Sequence, residues 1–143
     1  MFKKLFKKKK LLEIEEDYSL VSALLIHAAK MDNNYEENEK IMIKKAITEL
    51  SKKTDDEVNK IFKLAEEKEQ KSNQIIEFTK EIKKKNMDYR IKIIEILWRI
   101  VYSDGTADMY ENNLIRRICG LLYVPDKKSG EIKERIRKVP VQK

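Results

Sequence analysis

The sequence is short of chain breakers. It holds 3 glycines and 2 prolines in 143 residues, where average proteins carry about 12% of the two together. Sheet proteins need turn residues every few positions, so this shortage excludes a strand-rich sandwich or barrel. There is 1 cysteine, Cys119, so no internal disulfide is possible and a reducing, cytoplasmic setting is expected. No apolar run approaches the roughly 18 residues of a membrane-spanning helix. No apolar h-region follows the basic first residues, so a secretory signal is not expected. The length fits one domain, able to bury about two thirds of its unfolded surface without a disulfide or metal.

Charge is abundant but uneven. The formal net charge is +7. Residues 1–10 hold six lysines and no acid, and residues 127–143 hold seven bases against two acids. Residues 11–126 therefore carry −4. A nucleic-acid-binding domain shows its basic face on the folded body, so basic ends on an acidic body argue against nucleic acid. In the first ten residues Phe2, Leu5 and Phe6 follow i, i+3, i+4 spacing among Lys3, Lys4, Lys7 and Lys8. On a helix this gives an apolar face beside a lysine face, suited to an anionic membrane surface. A solvated terminus is the alternative.

The body reads as successive helices. Leu20, Val21, Leu24, Leu25 and Ala28 form a helical stripe ending near Met31. A second helix is expected from about Glu36 to Leu50, with Ile41, Ala46 and Ile47 among its apolar positions. Thr54-Asp55-Asp56-Glu57 has the form of a capping box and opens a third helix. Ser72 is a candidate cap for a fourth, bearing Ile75, Ile76, Phe78, Thr79 and Ile82. The most apolar helix spans about Asp88 to Tyr102 with Ile91, Ile94, Leu97, Trp98 and Val101. Asp108 starts another that ends before Val124-Pro125-Asp126, and a polar helix closes the chain near Arg137. No strand pair is visible. The expected fold is all-α, a compact single-domain bundle of about seven helices. Residues 1–16 form a basic amphipathic tail, 17–138 the helical domain and 139–143 a C-terminal tail.

Two segments match at a displacement of 72 residues: 24–43 and 96–115. In each, an apolar helix ends in Asp, a permissive turn residue follows, and Glu comes seven positions after the Asp. Asp32 pairs with Asp104, Asn33 with Gly105, and Glu39 with Glu111. The plan suggests two pseudo-symmetric helical hairpins. Asp32, Glu39, Asp104, Asp108 and Glu111 are the candidate metal ligands, because hard ions such as Ca²⁺ or Mg²⁺ want oxygen donors. The alternative is capping: Asp108-Met109-Tyr110-Glu111 has capping-box spacing, and acids in a first helical turn suit the helix dipole.

Enzymatic signatures are missing. A Cys–His pair would have to come from His27 and Cys119, yet Cys119 lies in an apolar run where thiols pack. Nucleophile-elbow, phosphate-loop and zinc-ligand spacings are absent. No catalytic residues are expected. Trp98, flanked by Ile94, Leu97 and Val101, reads as core.

Over about residues 19–137 the sequence resembles the tellurite-resistance TerB family, in particular its small stand-alone bacterial members. The resemblance rests on Leu97-Trp98, Ser103-Asp104-Gly105, Glu111, Leu114-Ile115-Arg116-Arg117 and Leu121-Leu122, with Asp32-Asn33…Glu39 as a weaker first copy. Asn33 departs from the family's Gly. The resemblance implies an all-helical domain with internal pseudo-symmetry, an acidic metal-binding surface and no established enzymatic activity. Similar domains occur in stress-response systems beside membrane proteins. The family name does not assign tellurite resistance to every small member.

The expected function is thus a non-enzymatic binding or sensing module, linked to stress response near the inner membrane. It would take Ca²⁺ or Mg²⁺, with a protein partner and peripheral contact with anionic membrane through Phe2–Lys8. The alternative is an adaptor whose basic tails contact anionic lipid or nucleic acid and whose body has no metal site.

Overall fold

In a computed structural model the protein is described over residues 2–31, 35–72, 74–104 and 109–138, with side chains at 2, 3, 6, 8–17 and 104 excepted. Among the described residues there are seven α-helices and no strand. They are α1 (Phe2–Met31), α2 (Glu37–Ser51), α3 (Asp55–Lys71), α4 (Ile75–Thr79), α5 (Met87–Val101), α6 (Met109–Leu122) and α7 (Asp126–Arg137). The all-α bundle expected from the sequence is the observed fold.

The core is built around α1. Val21, Ala23, Leu24, Leu25, Ile26, Ala28 and Ala29 are all buried, so that half of α1 is covered on every side. It packs against α2, α3, α4, α5 and α6. From α5 come Ile93, Ile94, Ile96, Leu97, Trp98, Ile100 and Val101. The first half of α1 is continuous with this central helix. The backbone passes residue 16 without a break, because lysine is a good helix former and no Gly or Pro interrupts the run. Ahead of Tyr18 the described side chains are Lys4, Leu5 and Lys7, all exposed.

Local chemistry sets the helix ends. The Thr54 oxygen accepts the Glu57 N–H at 3.3 Å, as its spacing predicts. The Glu57 carboxylate reaches back to the Thr54 backbone as expected, and it also accepts from the Thr54 hydroxyl at 3.0 Å and from Lys53 at 3.3 Å. Those two bonds hold its carboxyl below the usual range. Asn86 caps α5 by accepting the Tyr89 N–H at 2.9 Å. The helix expected after Ser72 is instead short. Gln74, not Ser72, stands at its N-cap, and a separate 3-10 turn follows at Ile82–Lys84. The Thr79 hydroxyl donates to the Ile76 carbonyl at 3.2 Å, and such back-bonding bends a helix. The break keeps Ile75, Phe78 and Ile82 buried while Ile76 points out. Ile41 is likewise exposed, at the solvent face of α2.

Helix α6 ends in a left-handed residue that is not glycine. Tyr123 has φ 56°. The Val124 N–H bonds the Cys119 carbonyl at 2.9 Å and the Tyr123 N–H bonds the Gly120 carbonyl at 3.4 Å. This is a Schellman closure. Arg90 of α5 donates to the Leu122 carbonyl at 2.8 Å and to the Tyr123 carbonyl at 3.3 Å, satisfying the last acceptors of α6.

Candidate functional site

The two halves of the sequence repeat become two helix–turn–helix units, α1–α2 and α5–α6. The second begins its turn earlier: α5 passes into a 3-10 turn at Tyr102–Asp104, where the Ser103 hydroxyl donates to the Ile100 carbonyl at 2.7 Å. Of the five candidate ligands, Asp32 and Asp108 lie outside the described residues, and Asp104 is described in its backbone only. Glu39 and Glu111 are placed, each in the first turn of its helix.

Their surroundings differ. Glu36 is the N-cap of α2, and its side chain accepts from the Glu39 N–H while Glu39 accepts the Glu36 N–H at 3.2 Å. This capping box stands at the repeat positions of Asp108 and Glu111. The sequence spacing Glu36-x-x-Glu39 signalled it by the logic that singled out Asp108-x-x-Glu111. Glu111 is buried, 4% exposed. It acts electrostatically on Tyr102, whose phenol is pushed up by burial first, eased by Arg137 and raised again by Glu134 and Glu111. Glu111 at the start of α6 and Glu134 and Arg137 at the end of α7 thus all act on Tyr102. The donor chemistry, carboxylates only, fits a hard cation. Among the described residues no three His, Cys, Asp or Glu side chains converge on one point.

A polar network that sequence reasoning did not single out lies beside the first turn. Glu69 of α3 is 8% exposed. Lys30 reaches its Oε2 at 2.6 Å, and His27 Nδ1 stands 3.3 Å from its Oε1. Against a carboxylate oxygen, His27 Nδ1 carries the proton. Tyr35 donates its hydroxyl to Glu66 Oε2 at 2.9 Å, and the ammonium groups of Lys30 and Lys40 sit 5.4 and 5.0 Å from the Tyr35 ring centroid. Burial first, then the bond to Glu66, pushes the Tyr35 phenol far above its usual range. The network fastens both ends of the first turn to α3. The only sequence signal was His27 within an apolar helix. Its partner is 42 residues away, beyond the reach of local pattern.

His27 has Glu69 and the Phe78 ring for neighbours. Cys119 is buried in α6 beside Ser129, and burial raises its thiol, with the Ser129 bond lowering and Asp126 raising it further. Trp98 is buried as expected, its indole N–H donating to Ser129 Oγ at 3.0 Å.

No curated protein and no solved structure matches the chain. The family described as tellurite resistance protein TerB matches it over residues 19–134. That span starts where α1 becomes buried and ends within α7, taking in both helix–turn–helix units and the whole core, and on it the chain belongs to the TerB family.

Proposed function

We propose that this TerB-family chain is a non-enzymatic binding module whose two acidic turns take a divalent cation, Ca²⁺ or Mg²⁺. The observation that carries this reading is the recurrence of one unit: a buried helix, an acidic turn, and a second helix with Glu in its first turn, at α1–α2 and again at α5–α6. Asp32, Glu39, Asp104, Asp108 and Glu111 would hold the ion, which would neutralise carboxylates that otherwise repel. In this reading the loaded turns present a surface to a protein partner in a stress-response system at the inner face of a membrane.

The Glu36–Glu39 capping box favours a second reading at the first turn, in which the acids serve as caps and the chain is an adaptor without a metal. Thermal melting separates the two. A cation that binds only the folded state stabilises it by RT ln(1 + [L]/Kd). Ca²⁺ or Mg²⁺ should raise Tm more than NaCl of equal ionic strength, and Asp104→Asn should abolish that gain. Glu111→Gln retains capping capacity, so a large loss of the ion-specific shift in this variant marks Glu111 as a ligand. No ion-specific shift leaves the adaptor reading.

A further inference from the structure

Helix α1 combines two features that do not usually share one element. Its residues 19–29 lie inside the body with only Leu20 and His27 half-buried. Its first sixteen residues, 2–17, run ahead of that buried stretch on the same helical backbone, a length of about 24 Å. The arm begins with six lysines and no acid in residues 1–10. At 3.6 residues per turn, positions 2, 5 and 6, which are Phe, Leu and Phe, fall on one side. Positions 3, 4, 7, 8 and 10, all Lys, fall on the other, while Lys9 falls among the apolar three. Leu5 is 66% exposed, and Lys4 and Lys7 are exposed as well.

We propose that this arm is a tip that inserts into an anionic lipid bilayer and holds the body against it at a fixed, oblique angle. Charge complementarity chooses the occupant. Lysines on one face of a helix attract anionic headgroups, apolar groups on the opposite face enter the acyl boundary, and the positive end of the helix dipole adds to the attraction. A nucleic acid would use the lysines but gives Leu5 and its apolar neighbours no hydrophobic phase.

The angle follows from packing. Helices α2 to α6 pack against α1, whose residues 19–29 lie inside the body, with axes about 8–10 Å away and radii of about 5 Å. The body therefore extends about 15 Å from the α1 axis, and a straight α1 cannot lie flat in the interface. The arm meets the bilayer tip first, with α1 tilted by at least about 30°. Residues near position 5 go in, and residues near position 16 stay out. The contact is reversible, since one short anchor binds weakly. Each lysine at the surface contributes about a fivefold change in partition. This proposal is independent of the cation reading, and its test runs in EDTA.

The full chain is sedimented at low salt with phosphatidylcholine vesicles containing about a third phosphatidylglycerol, and with phosphatidylcholine vesicles alone. Binding to the anionic vesicles only is expected. Leu5→Glu with Phe6→Glu should reduce it at least about tenfold, and Lys4→Glu with Lys7→Glu should do the same. Lys4, Leu5 and Lys7 are exposed, so unchanged circular dichroism confirms that the variants fold. An environment-sensitive fluorophore on Leu5→Cys should shift to the blue on binding, and one on Glu16→Cys should not. Equal binding by the Leu5/Phe6 variant, no binding to anionic vesicles, or displacement of the vesicles by duplex DNA would overturn the insertion. Equal blue shifts at both positions would overturn the oblique tip.

Discussion

Lys30 Nζ lies 2.6 Å from Glu69 Oε2, joining the last turn of α1 to α3 across 39 residues of sequence. The same carboxylate faces His27 Nδ1 at 3.3 Å. Its side chain is 9% exposed and that of Lys30 is 35% exposed. Losing one member of a fully buried ion pair costs about 3–5 kcal/mol. Here solvent screens the lysine, so Glu69→Gln is expected to cost about 1–2 kcal/mol. A double-mutant cycle with Lys30→Met, read by urea denaturation, should give a coupling of about 1 kcal/mol. A coupling of zero would mean that Glu69 serves only through His27.

Tyr123 gives a stabilising prediction. An L-residue in the left-handed region costs about 1–2 kcal/mol, and Tyr123 at φ 56° is 65% exposed, with little packing to lose. Tyr123→Gly should therefore raise stability by about 1 kcal/mol, less the entropy of an added glycine. Gly120 stands inside α6, and a Cβ built there meets nothing within 4 Å. Gly120→Ala should add about 0.5–1 kcal/mol. Midpoints of denaturation measure both, and a loss at Tyr123 would show that its side chain holds the Arg90 clamp in place.

What the sequence made legible was periodic and local. Ile94, Leu97, Trp98 and Val101 recur at helical spacing, and all four are buried in α5. Thr54 announced α3 because a cap is specified by neighbours in sequence. The failures have physical causes. The stripe from Leu20 to Ala28 marked only the buried half of α1; charge does not stop a helix, and its backbone runs back through the lysines at 7–10. The bend at Thr79 depends on one rotamer choosing the Ile76 carbonyl, which composition does not encode. Ile41 and Ile76 matched the apolar pattern but sit on exposed faces, because periodicity does not say how wide the covered stripe is. At the candidate site, the repeat correctly placed Glu39 and Glu111 in first helical turns. The Glu69 network stayed hidden because its members come from separate helices.

Alkaline pH probes the two ends of the fold at once. Burial raises both the Tyr35 and the Tyr102 phenol. The unfolded chain ionises them near the ordinary tyrosine value of about 10. A group whose folded value is raised contributes stability that is present below the unfolded value and is lost as pH rises through the folded one. Stability should therefore fall with increasing pH above about 10. Tyr35→Phe with Tyr102→Phe should flatten that slope. In the folded protein, ionisation of Tyr35 and Tyr102 should lag behind that of the unfolded chain as pH rises, read as delayed tyrosinate absorbance that the double variant loses.

Cys119 and Ser129 supply a chemical readout of core opening. The thiol is fully buried, at 0% exposure, and burial holds it protonated. Thiolate is the reactive form, so alkylation of the folded protein must wait for opening. Its rate then follows the population of the open state. Ser129, 5% exposed, accepts the Trp98 indole N–H at 3.0 Å. Ser129→Ala removes that acceptor from a buried donor, at a cost of about 1–3 kcal/mol. Since about 1.4 kcal/mol is tenfold, alkylation of Cys119 should accelerate by about tenfold or more. Replacing both partners with apolar groups is cheaper than stranding one. Adding Trp98→Phe to Ser129→Ala should therefore cost less than the two single changes combined. Iodoacetamide kinetics on the four proteins, each checked against its fully denatured form, measure this directly. If the native chain reacts as fast as the denatured one, Cys119 is accessible and α6 does not pack as the structure shows.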